Sequence, residues 1–449
     1  MPTLIHQGMV RILLLFICVG GAIGIAPMEV IASEKTTAIP LQPIIDRAAS
    51  GEVIRLDAGE YSGPVQINKP LSIIGNDEVT LVNRTEASAI VILADGVSIS
   101  GLDIAHYGKG DTASVYISGD QATVRDVVTK TQGFGIMLRN ANHVQIQNCT
   151  MIWGGEQNTS SARKGNGIDL YNSQNVRIED NEIQRMRDAI YMENSRNATV
   201  KNNKMILTRY GIHCMYIDGS VIEGNEGMYN ITGAMVMGVK NVQVRDNSFR
   251  MQSGNVNAQG ILLYDVQNST VERNALEGNR VGIYMEGSSN NQIQENDLRR
   301  NFVGIQMLRA EGNMVTNNTF ISNVIEAEAL KSQHNTVNQN YWDSFQGLDL
   351  EQDGYSNMSY AINPFYQSLV NRNEAYQLFF QSPGLGFLSS LFTDGQETWA
   401  KDASPRMSPL LQENVAEDES DESGNVMWIG VFLLEAALIV ILYWRFFKT

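Results

Sequence analysis

Cysteine is nearly missing: there are three in 449 residues. Cys18 falls in an N-terminal apolar run, which leaves Cys149 and Cys214 for the rest of the chain. Two thiols cannot make a disulfide framework, so the fold must rest on burial and hydrogen bonding. Positive charge is also short, with 33 Lys and Arg against 49 Asp and Glu and a net charge of −16. Phosphate backbones are held by clustered cations, so nucleic acid is not an expected partner. Of the five histidines, His106, His143 and His334 stand alone and read as surface or turn residues.

Long apolar runs are confined to the two ends. Arg11 precedes a run from Ile12 to Ala26, and Val30-Ile31-Ala32 offers small residues for cleavage, so residues 1–32 read as a secretory leader. At the other end Val426 to Trp444 supplies about the ~20 apolar residues that a bilayer span needs, flanked by Trp428, Tyr443 and Trp444. Arg445 and Lys448 follow this span and an acidic stretch precedes it. The positive-inside rule then expects a single-pass anchor at 426–444, a short cytoplasmic tail at 445–449, and the bulk of the chain outside the cell membrane. Glu435, near the middle of that span, is a candidate contact for a membrane partner.

Between the ends the chain repeats. Asn148, Asn181, Asn203, Asn225, Asn247, Asn274, Asn296, Asn318 and Asn340 close successive short apolar strands, and most are 22 residues apart. A second marker runs in phase at Gly167, Ala189, Gly211, Gly233, Gly260, Gly282 and Gly304. A fixed period of this size means a solenoid. Segments such as Val176-Arg177-Ile178 and Val242-Gln243-Val244 alternate apolar with polar, which selects strands over helices. The expected fold is therefore all-β: a single right-handed parallel β-helix of 22-residue coils over 33–345. A short helix at 41–49 should cap its open end. A cap or docking segment at 346–392 and an acidic linker at 393–425 complete the expected organisation.

Counted from each Gly or Ala marker, positions one and three are apolar and face inward, and positions two and four face outward. This register places His213 and Met215 one coil from Met235 and Met237 on an outer face. An imidazole and three thioethers form a candidate Cu(I) site, because that ion prefers soft sulfur ligands. The same face carries Tyr171, Tyr191, Glu193, Tyr264, Tyr284 and Glu286 as candidate partner-docking residues, and Cys214 is assigned to the core. An enzyme reading is weaker. Glycoside hydrolysis needs two carboxylates facing one groove, and the outward pair Asp169 and Glu193 sits among tyrosines. The chain has no Asp-Pro-His-Asp, no Asn-Thr-Asp and no Gly-His-Gly. The loop Asp349 to Asp353 reads as a structural turn rather than a calcium site.

Gly211-Ile-His-Cys-Met-Tyr216, the Gly233-Ala-Met-Val-Met237 coil, and Asn340-Tyr-Trp-Asp343 followed by Gly347-Leu-Asp-Leu-Glu-Gln-Asp-Gly354 resemble the NosD family. The likeness covers roughly residues 41–392. It implies a non-enzymatic accessory protein outside the membrane that helps assemble the copper and sulfide centre of nitrous oxide reductase. The partners it implies are an ABC-type permease with its ATP-binding subunit, a copper chaperone and the reductase itself. Copper is the metal it implies, with no ligand motif to carry over. The contrasting class is a surface β-helix that binds or acts on carbohydrate.

Overall fold

The computed structural model describes residues 38–76, 78–252, 258–373, 375–376, 383–393 and 399–410. The expected leader at 1–32, the span at 426–444 and Glu435 lie outside the described residues. Among the described residues no helix is long and apolar enough to cross a membrane.

The described chain winds as a single parallel β-solenoid of about 14 turns. One face is a parallel sheet of twelve strands running from Val65–Ile67 to Ile325–Leu330. Along it, residues one repeat apart are direct partners, as in Ile168↔Ile190, Ile190↔Ile212 and Ile212↔Ala234. The inward positions expected from alternation, among them Ile190, Met192, Ile212, Cys214, Ile283 and Met285, are fully buried. Stacking like side chains every coil lets each bury the flank of the next, the main source of stability in a solenoid. Gly233 shows why the marker row stays small. A Cβ there would come within 2.5 Å of the Phe249 ring and of the Gly260 carbonyl.

The asparagine row forms a continuous ladder inside the wall. Each amide Nδ2 donates to the next amide Oδ1, as in Asn203 to Asn225 (2.9 Å), Asn274 to Asn296 (2.8 Å) and Asn318 to Asn340 (3.0 Å). The same oxygens accept the backbone N–H of the preceding rung, which satisfies donors that the turn leaves unpaired. Asn148, counted in this row from the sequence, is not in it. Cys149 aligns with Asn181, its N–H donates to Asn181 Oδ1 (3.0 Å), and its thiol points at the Val124 carbonyl. Asn148 is an exposed turn residue with φ 51° bonded to Asp126.

Both ends of the core are closed. Helix α1, Gln42–Arg47, covers the first coil with Leu41 and Ile45. At the far end Phe320 and Trp342 stack 4.2 Å apart, and Tyr360 stacks on Trp342. Lys401–Asp402 returns to the last coil, pairing Asp402 with Val337 and, antiparallel, with Tyr360. Asp402, fully buried, ends the asparagine ladder: it accepts from Asn340 N (2.9 Å), Asn340 Nδ2 (3.0 Å), Trp342 Nε1 (3.0 Å) and Gln339 N (3.0 Å). The linker expected from 393 therefore does not include this stretch, which is part of the cap. Within the segment expected at 346–392, α2 runs over Phe365–Arg372 and α3 over Pro383–Leu391, while residues 374 and 377–382 lie outside the described residues. The loop at 349–353 closes a turn, with Asp349 accepting from the N–H groups of Asp353 and Gly354.

Candidate functional site

The outer surface of the twelve-stranded sheet carries the sequence-predicted residues in register. Asp169, Tyr191, His213, Met235, Leu262 and Tyr284 form one row, and Tyr171, Glu193, Met215, Met237, Tyr264 and Glu286 form the next. The expected juxtaposition of His213 and Met215 with Met235 and Met237 is present. All three methionines are half-buried.

His213 departs from its expected setting. It faces away from the core, yet only 7% of it is exposed, because its neighbours enclose it. The rings of Tyr191 and Tyr210 meet the imidazole edge-on, each 4.9 Å away. Its Nδ1 lies 3.0 Å from Asp188 Oδ2. Arg209 holds the same carboxylate through Nε (2.8 Å) and Nη2 (2.6 Å), and its guanidinium lies over the Tyr210 ring. Burial pushes the Asp188 pKa up, but the hydrogen bonds from His213 and Arg209 outweigh it and hold the group below its usual value. A neutral imidazole that donates Nδ1–H to Asp188 keeps a lone pair on Nε2. That Nε2 is buried and has no hydrogen-bond partner. An orphaned buried nitrogen on a ring fixed from behind by a carboxylate suits a metal-donor role.

Around this pair the polar groups are largely committed. Asn166 donates to Asp169 (2.6 Å) and accepts from the Asp188 backbone, and Arg139 pairs with Asp169 at 2.7 Å. Burial raises the Asp169 pKa against the pull of Arg139 and Asn166. Tyr191 donates its hydroxyl to Glu193 (2.7 Å) and lies 3.5 Å from the Met215 sulfur. Asp169 and Glu193 thus each have a partner and do not face one another as free carboxylates. Among the described residues no three His, Cys, Asp or Glu side chains are placed to hold a metal. Donors for a soft ion here would be His213 Nε2 and thioethers.

The docking candidates divide. Tyr171 and Tyr264 are exposed. Tyr284 bonds Glu286 (2.6 Å) and packs with Tyr366 and Leu385 over a second apolar cluster of Val281, Val303 and Ile325. The cap thus covers that end of the face, and Glu286 is paired with Arg309. Asp188 and Arg209 were not anticipated. A signal existed, since Asp188 is the one acidic residue immediately before a Gly or Ala marker. His106, read as a surface residue, is buried at the end of Ser98–His106, between Asn83 (3.1 Å) and Thr112 (2.9 Å). Burial lowers its pKa to about 4. The two core thiols are inert: burial pushes Cys149 up to about 12 and Cys214 higher still.

The fold is similar to that of the mannuronan C-5 epimerase AlgE6 A-module of Azotobacter vinelandii. The match has a TM-score of 0.50 and 14% identity, and covers 67% of this chain and 93% of that one. At that identity the likeness is one of architecture. In sequence, the chain is 27% identical over 190 residues to a protein named "Probable ABC transporter binding protein NosD" from Stutzerimonas stutzeri, covering 41% of this chain and 40% of the relative. A protein of the same name from Pseudomonas aeruginosa is 24% identical over 139 residues, 30% of this chain and 32% of the relative. The alignments thus span well under half the length of these relatives. Residues 152–348 match the family described as periplasmic copper-binding protein (NosD). This stretch contains Asp188, Arg209, His213 and the three methionines, and over it the chain is similar to that family.

Proposed function

We propose that this chain is a non-enzymatic, extracytoplasmic accessory protein of an ATP-driven transporter, handling copper for assembly of the copper and sulfide centre of nitrous oxide reductase. The names of its relatives support the transporter link, and the family description supports both copper and a site outside the cytoplasmic membrane. The observation that carries the reading is His213 Nε2: buried, unpartnered, and held from behind by Asp188 on a face bearing Met215, Met235 and Met237. Thioether and imidazole ligands favour Cu(I) over hard cations. Asp188 would fix the ring tautomer and orientation, Arg209 would hold Asp188, and Tyr191 and Tyr210 would keep water from the ring. A membrane anchor at 426–444 would keep the solenoid beside its permease.

The test is a competition titration of Cu(I) against a coloured chelator, using the full-length protein in detergent. Wild type should take up copper, and His213→Ala should lose most of the affinity while keeping the wild-type circular dichroism. Equal copper uptake by the two would remove His213 from the site. Normal copper loading of the reductase in cells lacking this protein would remove the role itself.

A further inference from the structure

One edge of the site face carries apolar side chains at three successive corners. Where each coil turns into the twelve-stranded sheet, the corner residue adopts a left-handed conformation: Arg185, Leu207, Tyr229, Met251, Gly278 and Arg300, with φ between 52° and 65°. Such corners usually favour Asn, Asp or Gly. Three consecutive ones are apolar and stand out from the surface, Leu207 49%, Tyr229 52% and Met251 45% exposed. Ile206 and Met228, half-buried register partners, widen the stripe. The left-handed turn recurs at other corners of the coils, as at Asn172, Asn194, Asp180 and Asn202, but it does not need exposed apolar side chains, and an apolar patch with a polar rim marks an interaction site.

The rim is positive at one end, on a chain of net charge −16. Lys164 Nζ donates to the Arg185 carbonyl (2.9 Å), Arg187 N–H to Gly165 (2.9 Å) and Arg209 N–H to Arg187 (2.6 Å), so these four cations are neighbours. Arg209 is paired with Asp188. Among the described residues Lys164, Arg185 and Arg187 have no ion-pair partner, and Arg187 Nε is buried without a hydrogen bond. Burial first, and then the adjacent Arg185, depress the Lys164 pKa.

We propose that this corner docks a segment with apolar residues followed by carboxylates, and that the occupant is residues 411–425 of the same chain. That segment holds six acidic residues and no basic one, and its apolar Leu411, Val415 and Ala416 precede the carboxylates at 417–419 and 421–422. The chain approaches it from the last coil, where Arg406 N–H bonds the Asn340 carbonyl. From the Asn340 rung to the Asn247 rung is four coils, and three more reach Asn181, so the basic end lies on the order of 34 Å away at ~4.8 Å per coil. Fifteen extended residues span up to ~50 Å. Travelling that way, the segment meets Met251 and Tyr229 first and the Arg and Lys cluster last, which matches its own order of apolar then acidic residues. The docked segment lies along Arg209 and so borders the Asp188–His213 pair.

The test uses the full-length chain in membranes with Tyr229→Cys and Glu419→Cys and a short bismaleimide cross-linker. Cys149 and Cys214 are buried in the core. An intramolecular cross-link is expected, identified by peptide mass. A control pair, Lys201→Cys with Glu419→Cys, places the thiol on another face of the same coils and should give none. Arg185→Glu with Arg187→Glu should remove most of the cross-link, and adding Asp421→Lys and Glu422→Lys should restore it. Equal yield from the control pair, or indifference to charge reversal in a variant that melts like wild type, overturns the proposal. Cross-links between two chains would assign the corner to a second copy and overturn it equally.

Discussion

Replacing Asn247 with alanine should cost this protein far more than an ordinary polar-to-alanine change. Asn247 sits midway along the buried ladder. Its Oδ1 accepts from the backbone N–H of Asn225 (2.9 Å) and from Asn225 Nδ2 (2.9 Å). Its Nδ2 donates to the Ile222 carbonyl (3.0 Å) and to Asn274 Oδ1 (2.9 Å). Truncation strands the buried Asn225 N–H, a loss of roughly 1–3 kcal/mol, and removes the bonds to Ile222 and Asn274 at roughly 1 kcal/mol each. The Asn225 amide softens the loss, since it retains the Val200 and Glu223 carbonyls. The sum is about 3–5 kcal/mol. Asn148→Gly is the control: that residue is exposed, outside the ladder and already left-handed, so the change should cost no more than about 0.5 kcal/mol. Urea unfolding followed by circular dichroism compares the two. If Asn247→Ala costs no more than Asn148→Gly, the ladder is not what satisfies the turn backbone.

Ile212→Ala, which removes a fully buried side chain, should cost about 2–5 kcal/mol, and Tyr171→Ala, on the exposed face, less than about 1; equal shifts in urea midpoint would mean the register is wrong. Burial raises the Glu326 and Glu328 pKa values from the usual 4.5 to about 7. The folded state then holds protons that the unfolded state has released between those values, so stability should fall as pH rises from about 4.5 to about 7, by up to about 3 kcal/mol per group. Thermal melts across that window should show the fall, and Glu328→Gln should flatten it; an unchanged slope in that variant would clear Glu328 of the effect. Glu435→Leu should weaken copurification with the permease from detergent if Glu435 meets a polar group of that partner, and full recovery would reduce the span to a tether.

The repeat, the inward rows and the juxtaposition of His213 with Met235 were legible in the sequence, because period 22 and strand alternation together determine which residues become coil neighbours. Legibility failed where one residue of register or one long-range contact decided the outcome. Asn148 and Cys149 are adjacent, and a polar residue at the expected spacing hid the thiol that holds the ladder position. Asp402 lies some sixty residues beyond the rung it closes, in a stretch whose composition reads as a linker, and only the buried ends of Asn340 and Trp342 explain why a carboxylate is needed there. His213 was assigned to the right face and the wrong environment, since strand alternation gives direction but not enclosure. The enclosure comes from Asp188 and Tyr210, partners in adjacent coils at the position just before the marker, where the strand alternation is interrupted. An outward histidine flanked in this way is desolvated, committed through one nitrogen and left with the other unsatisfied. The cost of leaving that nitrogen bare, roughly 1–3 kcal/mol for a buried polar group, is the physical reason to look for its ligand at this position.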